Sequence, residues 1–451
     1  MNQLYQKYKP HYNANLKLAI PVVISQLGHT LVQLSDSIIV GHFAGTISLA
    51  AVSLVNSIFV IGMVLGLGIS YGITPLIAQH NGKGNFAECG RLLSNSFFLN
   101  IISGVLLFVL IYFGSNLLMD QLDQTPAVVK EAKPFMLLLS LSIIPMLMFS
   151  TFKQFAEGLG FTKQAMMISI WGNILNICLG IIFVKGMFGI APMGIRGVGY
   201  STLIDRTLMA IVMGTYVFRS ANFKKYLQNF VLTAIDKVRC MQLLRIGAPI
   251  SLQYAFEISA FSAAAILMGQ LGSVQQAAHQ VAISMASLTY MMASGVSAAA
   301  AIKSGNHFGA KNYQELRASA MASYHIIILF MMFTALLFVV CNQWLPWIVT
   351  SDKSVIEVAS HLLIIAAVFQ LFDGTQVIGL GILRGMGDVN VPTFITFLAY
   401  WVIGLPLGYL LGIHLHFGPN GIWYGLVAGL GVASILLYLR FNKNTEKHLA
   451  A

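Results

Sequence analysis

Charge is scarce in this sequence. Asp, Glu, Lys and Arg make up 9% of its 451 residues, where a soluble domain carries roughly a quarter. So few charged side chains cannot clothe the surface of a soluble globule. Cysteine is sparse too: Cys89, Cys178, Cys240 and Cys341 show neither a pairing pattern nor metal-ligand spacing. A disulfide scaffold and a zinc module are therefore not expected. There is no HExxH and no clustered nucleophile and base, so no catalytic residues are assigned and an enzyme is not expected. No Walker sequence is present to couple ATP. The net charge of +11 is scattered over loops rather than gathered on one face, which argues against nucleic acid as a partner. The first apolar run has no small-residue cleavage site and is expected to be retained as a helix.

Apolar residues are abundant. They make up 57% of the chain, with a mean hydropathy of +0.77. Apolar windows near the roughly 20 residues that span a bilayer recur along the whole length. Barrel strands would alternate apolar and polar residues instead, so the expected class is an all-α integral membrane protein. Twelve spans are expected, at about 16–40, 48–78, 91–118, 134–158, 164–185, 195–218, 245–269, 277–304, 317–342, 355–384, 392–413 and 421–440. With the N-terminus placed inside, basic residues such as Lys83, Arg91, Lys153, Lys163, Lys224 and Arg245 fall in or beside inner loops. Only Lys130, Lys133, Lys185, Arg196 and Lys353 fall outside. Basic residues collect on the cytoplasmic side, so both termini are expected there.

The two halves repeat. Pro21 in AIPVVISQ matches Pro249 in GAPISLQY, 228 residues on, and Gly41 matches Gly269 at the same offset. NGKGNFAE (81–88) resembles FGAKNYQE (308–315), EGLG (157–160) matches RGMG (384–387), and PMGI (192–195) matches PNGI (419–422). The expected organisation is an N-lobe over 1–218, a cytoplasmic linker over 219–244 and a C-lobe over 245–451. Parallel six-helix repeats of this kind mark secondary transporters.

Four acids fall inside the expected spans away from their end turns: Asp36, Asp205, Glu257 and Asp373. A charge in mid-bilayer is costly and usually faces a cavity or a partner. Asp205 adjoins Arg206, and a structural contact there stands level with a functional one. Neighbours on a helix point about 100° apart, so the two need not pair. Glu257 and Asp373 have no basic residue near in sequence. Gln253, Glu257 and Phe261 share one face of their helix, as do Phe369, Asp373 and Gln376. Oxygen-rich surroundings suit a hard cation, and two carboxylates in one pocket also suit a proton. Across the repeat, Glu257 corresponds to His29, Asp373 to Met146 and Asp36 to Ala264. The scaffold is duplicated and the acids are not, which favours specialised sites. His29 and His279 read equally well as hydrogen-bonded structural histidines.

At these residues the sequence resembles the multidrug and toxin extrusion (MATE) transporters, in their NorM-like bacterial branch. The carrying segments are QLSDSIIVGHF (33–43), APISLQYAFEISAF (248–261), AAHQVAISMASLTYM (277–291) and FQLFDGTQVIGLGILRGMGD (369–388). The resemblance covers nearly all of the chain. It implies two pseudo-symmetric six-helix lobes and a monomer in the inner membrane of a bacterium. It also implies alternating-access antiport of Na+ or H+ against amphipathic, often cationic drugs, with no other cofactor. Glu257 and Asp373 match the family's cation site, with Gln280 and Tyr290 close to it. Asp36 matches an acid linked to proton or drug binding, and Asn176 an accompanying amide. Gly180 departs from the pattern where many relatives carry a polar residue. Gln253, Phe261, Phe369, Gln376, Asp205, Arg206 and His29 are candidates to line the cavity. The alternative is a flippase for a lipid-linked saccharide. It would need several buried cations, and all basic residues but Arg206 are assigned to loops or their margins.

Overall fold

A computed structural model describes residues 2–121 and 125–450, with the side chains of 2–5, 7, 120 and 450 outside the described set. Residues 1, 122–124 and 451, which the expected lobes include, lie outside it as well.

Among the described residues, twelve long helices carry the fold. They are α1 Asn2–Phe43, α2 Thr46–Gly82, α3 Phe86–Gln121, α4 Pro126–Gly158, α5 Thr162–Lys185 and α6 Ile195–Arg219. There follow α7 Lys237–Leu271, α8 Ser273–Gly309, α9 Tyr313–Val340, α10 Lys353–Gly385, α11 Asn390–His414 and α12 Gly418–Ala450. Eleven are long and apolar enough to cross a membrane. The exception is α6, whose 25 residues are diluted by Arg196, Asp205 and Arg206. It stands where the sixth span is expected. Several helices begin earlier than the apolar windows do. Hydropathy marks the part of a helix that suits lipid, whereas backbone hydrogen bonding continues into polar sequence. α4, for example, starts at Pro126, whose missing N–H costs nothing in a first turn.

The helices form two compact units. One takes the chain up to Val23 and from Leu252 onward; the other is Ile24–Ser251. α1 and α7 are therefore each divided, at points separated by the period of the repeat. Pro21 and Pro249 lie inside these helices just before the divisions. The segment 219–244 is tied down within the second unit. Phe223 and Tyr226 are buried, and the Tyr226 hydroxyl donates to Asn81 Oδ1 at 2.9 Å. The Asp236 amide donates to Asn95 Oδ1 at 2.7 Å, and Arg239 pairs with Glu88 at 2.5 Å.

In each unit a polar-bearing helix is sheathed by others. α10 packs against α8, α9 and α12, while α6 packs against α4 and α5. Lipid offers no hydrophobic drive between helices, so close backbone approach supplies the contact. Gly381 and Gly385 of α10 lie against Ser297, Ala301 and Gly305 of α8, where a Cβ would strike backbone. Ser297 Oγ donates to the Val377 carbonyl at 2.7 Å across the same contact. Gly404, Gly408 and Gly412 of α11 meet Gly421, Gly425 and Gly429 of α12 in a second such seam. α11 loosens into wider turns over Leu398–Gly404 and Leu410–His414, on either side of Pro406, which donates no backbone hydrogen bond.

Gly425→Leu is expected to cost about 1–3 kcal/mol by overpacking this seam. The check is the melting temperature of the detergent-purified protein. It should fall by several degrees, while Gly114→Ala, which meets nothing within 4 Å, should leave it unchanged.

Candidate functional site

The first unit gathers its polar side chains between α7, α8, α10 and α11. Glu257 on α7 and Asp373 on α10 are buried, at 7% and 3% exposure. They are near enough to repel each other electrostatically. Tyr290 of α8 lies beside the Glu257 carboxylate, and Tyr290 and Tyr400 both share the field of the two acids. Among the described residues, Asp373 Oδ1 is buried with no hydrogen-bond partner. Gln370 and Gln376 share its helix and are fully buried. Their amide oxygens accept from Thr334 and Tyr400, both at 3.1 Å, and their amide nitrogens are without partners among the described residues. Phe261 packs edge-on against Phe369 and Tyr400, with ring centroids 6.1 and 5.7 Å apart. The result is an unsatisfied acidic pocket with aromatic walls.

Other expected members stand apart. The Gln253 amide nitrogen donates to Thr393 Oγ1 at 2.9 Å, and its oxygen accepts from Arg384 at 3.3 Å. It thus braces α7 against α10 and α11. Gln280 is exposed on α8. His279 is buried and accepts from the Trp423 indole nitrogen at 3.2 Å, the structural role that stood open for it. Three members were not identified from sequence: Tyr400, Gln370 and Arg384. Arg384 has no sequence proximity to Glu257, yet the fold brings its charge within electrostatic reach of that acid. Its guanidinium also lies over the Tyr254 ring, 5.6 Å from the centroid.

The second unit has its own polar cluster, between α1, α5 and α6. Asp36 is half-buried and Asp205 buried, and each presents a buried oxygen with no partner among the described residues. Asn176 lies beside Asp205, and its amide nitrogen donates to Thr202 Oγ1 at 3.4 Å. Arg206 is attracted by both acids. Its guanidinium donates to Ser142 Oγ at 2.7 Å and lies over Phe59, 5.5 Å from the ring centroid. It therefore leans towards α2 and α4, as the 100° step between neighbours allows. His29 lies near two cations, Lys153 and Arg206.

The inventory of buried charge needs one correction. Lys153 on α4, counted with the inner loops, and Glu157, at the end of the expected span 134–158, are buried at 7% and 3% exposure. They face each other at 3.9 Å, one turn apart, and Lys153 Nζ donates to Ser25 Oγ at 2.9 Å. Arg206 is thus not the only buried cation, and Glu157 joins the four acids. Their i, i+4 spacing is the signal that finds them. Among the described residues no three His, Cys, Asp or Glu side chains group as a metal centre would need.

Comparison with known proteins follows the repeat. The MatE family profile matches residues 21–182 and again 249–410, so its two matches start at the repeat's own spacing. The multidrug resistance protein MdtK of Yersinia pseudotuberculosis is 34% identical over 441 residues, covering 96% of each chain. MdtK of Yersinia enterocolitica is 34% identical over 439 residues, again 96% of each. Among solved structures, an outward-facing multidrug resistance MATE family transporter of the MOP superfamily superposes with a TM-score of 0.90 at 20% identity, covering 98% of this chain and 97% of that one. The eukaryotic MATE transporter AtDTX14 gives 0.86 at 18% identity, over 98% and 99%. At such identities these likenesses speak to the fold.

Removing one partner of a buried ion pair is costlier than removing both, because the survivor is left uncompensated. Lys153→Met is therefore expected to destabilise by about 3–5 kcal/mol. The double variant Lys153→Met, Glu157→Leu should recover most of that loss, as read by melting temperature.

Proposed function

The chain belongs to the MatE family of multi-pass membrane transporters, and on that premise we propose that it is a secondary active multidrug exporter. In this reading it sits in the inner membrane of a bacterium as a monomer of the NorM-like branch, with both termini cytoplasmic. It exchanges Na+ or H+ moving inward for amphipathic, often cationic drugs moving outward, by alternating access. Antibiotic resistance would be the consequence for the cell.

One observation carries the ion assignment. Two carboxylates, Glu257 and Asp373, lie buried together, and Asp373 Oδ1 has no partner among the described residues. A buried anion that is left unpaired is strongly unfavourable. The pair gains most from a proton or from a small hard cation, whose preferred ligands are oxygens. Glu257 and Asp373 would bind that ion directly. Tyr290 stands beside the Glu257 carboxylate, and Gln376 is fixed by Tyr400. Asp36 and Asn176 supply the acidic position of the other unit, for a proton or for the charged end of the drug. Gln280 enters as a nearby amide and not as a buried ligand.

The chemistry of exchange follows from charge. An ion on the pair cancels negative charge that a cationic drug would otherwise use. Each ligand then weakens the other, and the coupling is reciprocal. A buried site that changes charge without a compensating ligand is expensive, so the protein favours states in which one or the other is bound. Export down the ion gradient is the outcome.

The test is ethidium efflux from proteoliposomes, with sodium and pH gradients imposed separately. Wild-type protein should respond to at least one gradient. Glu257→Gln and Asp373→Asn should each reduce ion-driven efflux at least tenfold while keeping the melting temperature. Normal efflux by both variants would overturn the assignment.

A further inference from the structure

A polar pocket borders the second unit's acid cluster, with Phe59 between it and Arg206. It lies between α1 and α2 within the unit Ile24–Ser251, and its volume is about 560 Å³. Drug-sized ligands occupy pockets of roughly 300–1,000 Å³. Gln33 and Ser37 line it from α1, and Ser53, Asn56, Ser57 and Phe59 from α2.

Its depth makes its polarity costly. Asn56 stands ten residues after the start of α2 at Thr46, and Gln33 ten before the end of α1 at Phe43. At 1.5 Å per residue that is about 15 Å from each helix end, near the middle of a hydrocarbon core about 30 Å thick. Gln33, Ser53, Asn56 and Ser57 are all exposed. Facing lipid, two primary amides there would each lose their hydrogen bonds at a cost of several kcal/mol. They are accounted for only if the pocket meets water or a polar ligand.

The donor and acceptor pattern narrows the ligand. Ser37 Oγ donates to the Gln33 carbonyl at 3.2 Å, and Ser57 Oγ to the Ser53 carbonyl at 2.9 Å. Both hydroxyl protons are thus committed to their own helices, and the oxygens face the pocket as acceptors. The Gln33 and Asn56 amides add both functions. No ionised group lines the pocket. Behind its Phe59 wall lies the Arg206 guanidinium, its charge offset by Asp205 and Asp36, so the lining itself gives a ligand's cationic centre no counter-charge.

We propose that this pocket is a neutral subsite for the transported compound, receiving an uncharged hydrogen-donating group such as an aromatic amine, hydroxyl or amide. The cationic centre of the same molecule lies elsewhere, near the acids. This inference rests on the export reading and adds to it a determinant of selectivity that is independent of charge.

Two lipophilic cations separate the possibilities. Ethidium carries two aromatic amines, and tetraphenylphosphonium carries no hydrogen-bonding group. Equilibrium binding of each is measured on the purified, full-length protein. The double variant Gln33→Leu, Asn56→Leu should weaken ethidium roughly tenfold, as loss of about two hydrogen bonds implies, and leave tetraphenylphosphonium within twofold. Should the double variant not fold, Ser57→Ala removes one acceptor with little change in volume and should weaken ethidium alone, by about threefold. Unchanged ethidium binding, or equal losses for both cations in a folded variant, would overturn the subsite and leave the export reading standing. A wild-type protein that binds neither cation would overturn the export reading itself.

Discussion

Two carboxylates held together away from water set the constraint that the rest of the structure answers. Glu257 and Asp373 come from helices 116 positions apart in the chain, and no buried lysine or arginine forms an ion pair with either among the described residues. Membrane interiors tolerate such groups only when a ligand or a pathway gives them a use. The surrounding side chains hold the pair in place without satisfying it. Tyr290 stands beside one carboxylate, Tyr400 and Thr334 take the amides on the Asp373 helix, and an aromatic wall closes the side. Arg384 lends its charge from a distance while its guanidinium is bound to Gln253.

Holding such a pocket in shape requires helices that do not slide. In this fold the rigidity comes from missing side chains. Gly381 and Gly385 let α10 lie against α8 backbone to backbone, and the facing glycines of α11 and α12 do the same beside Tyr400. Asp373 of α10 is thereby fixed relative to Tyr290 of α8 and Tyr400 of α11. Polar groups that do not serve the pocket are satisfied by structure, as Trp423 satisfies His279 and Lys153 holds both Glu157 and Ser25.

Much of this was legible in the chain, and for physical reasons. A lone acid in an apolar run is visible without any fold, so Glu257, Asp373, Asp36 and Asp205 stood out at once. Helical spacing placed Phe261 and Phe369 beside them, and the rings do meet. The same spacing misled at Gln253, because sharing a face with Glu257 does not decide which neighbour the amide chooses. Tyr400 was hidden among many aromatics whose commonest role is to pack or to face lipid. Arg384 reads as an inner-loop residue, and only the tertiary fold brings its charge towards Glu257. The glycine seam is written in sequence as a period of four, at 404, 408 and 412 and at 421, 425 and 429. What it packs against is not.

The central claim is that ion and drug compete through the charge of one buried carboxylate pair. Ethidium binding to the purified protein, titrated against sodium and against pH, tests it most directly. The account predicts that one of these ions raises the ethidium dissociation constant, and that saturating ethidium weakens that ion by the same factor. Ethidium binding that is indifferent to both ions would contradict it.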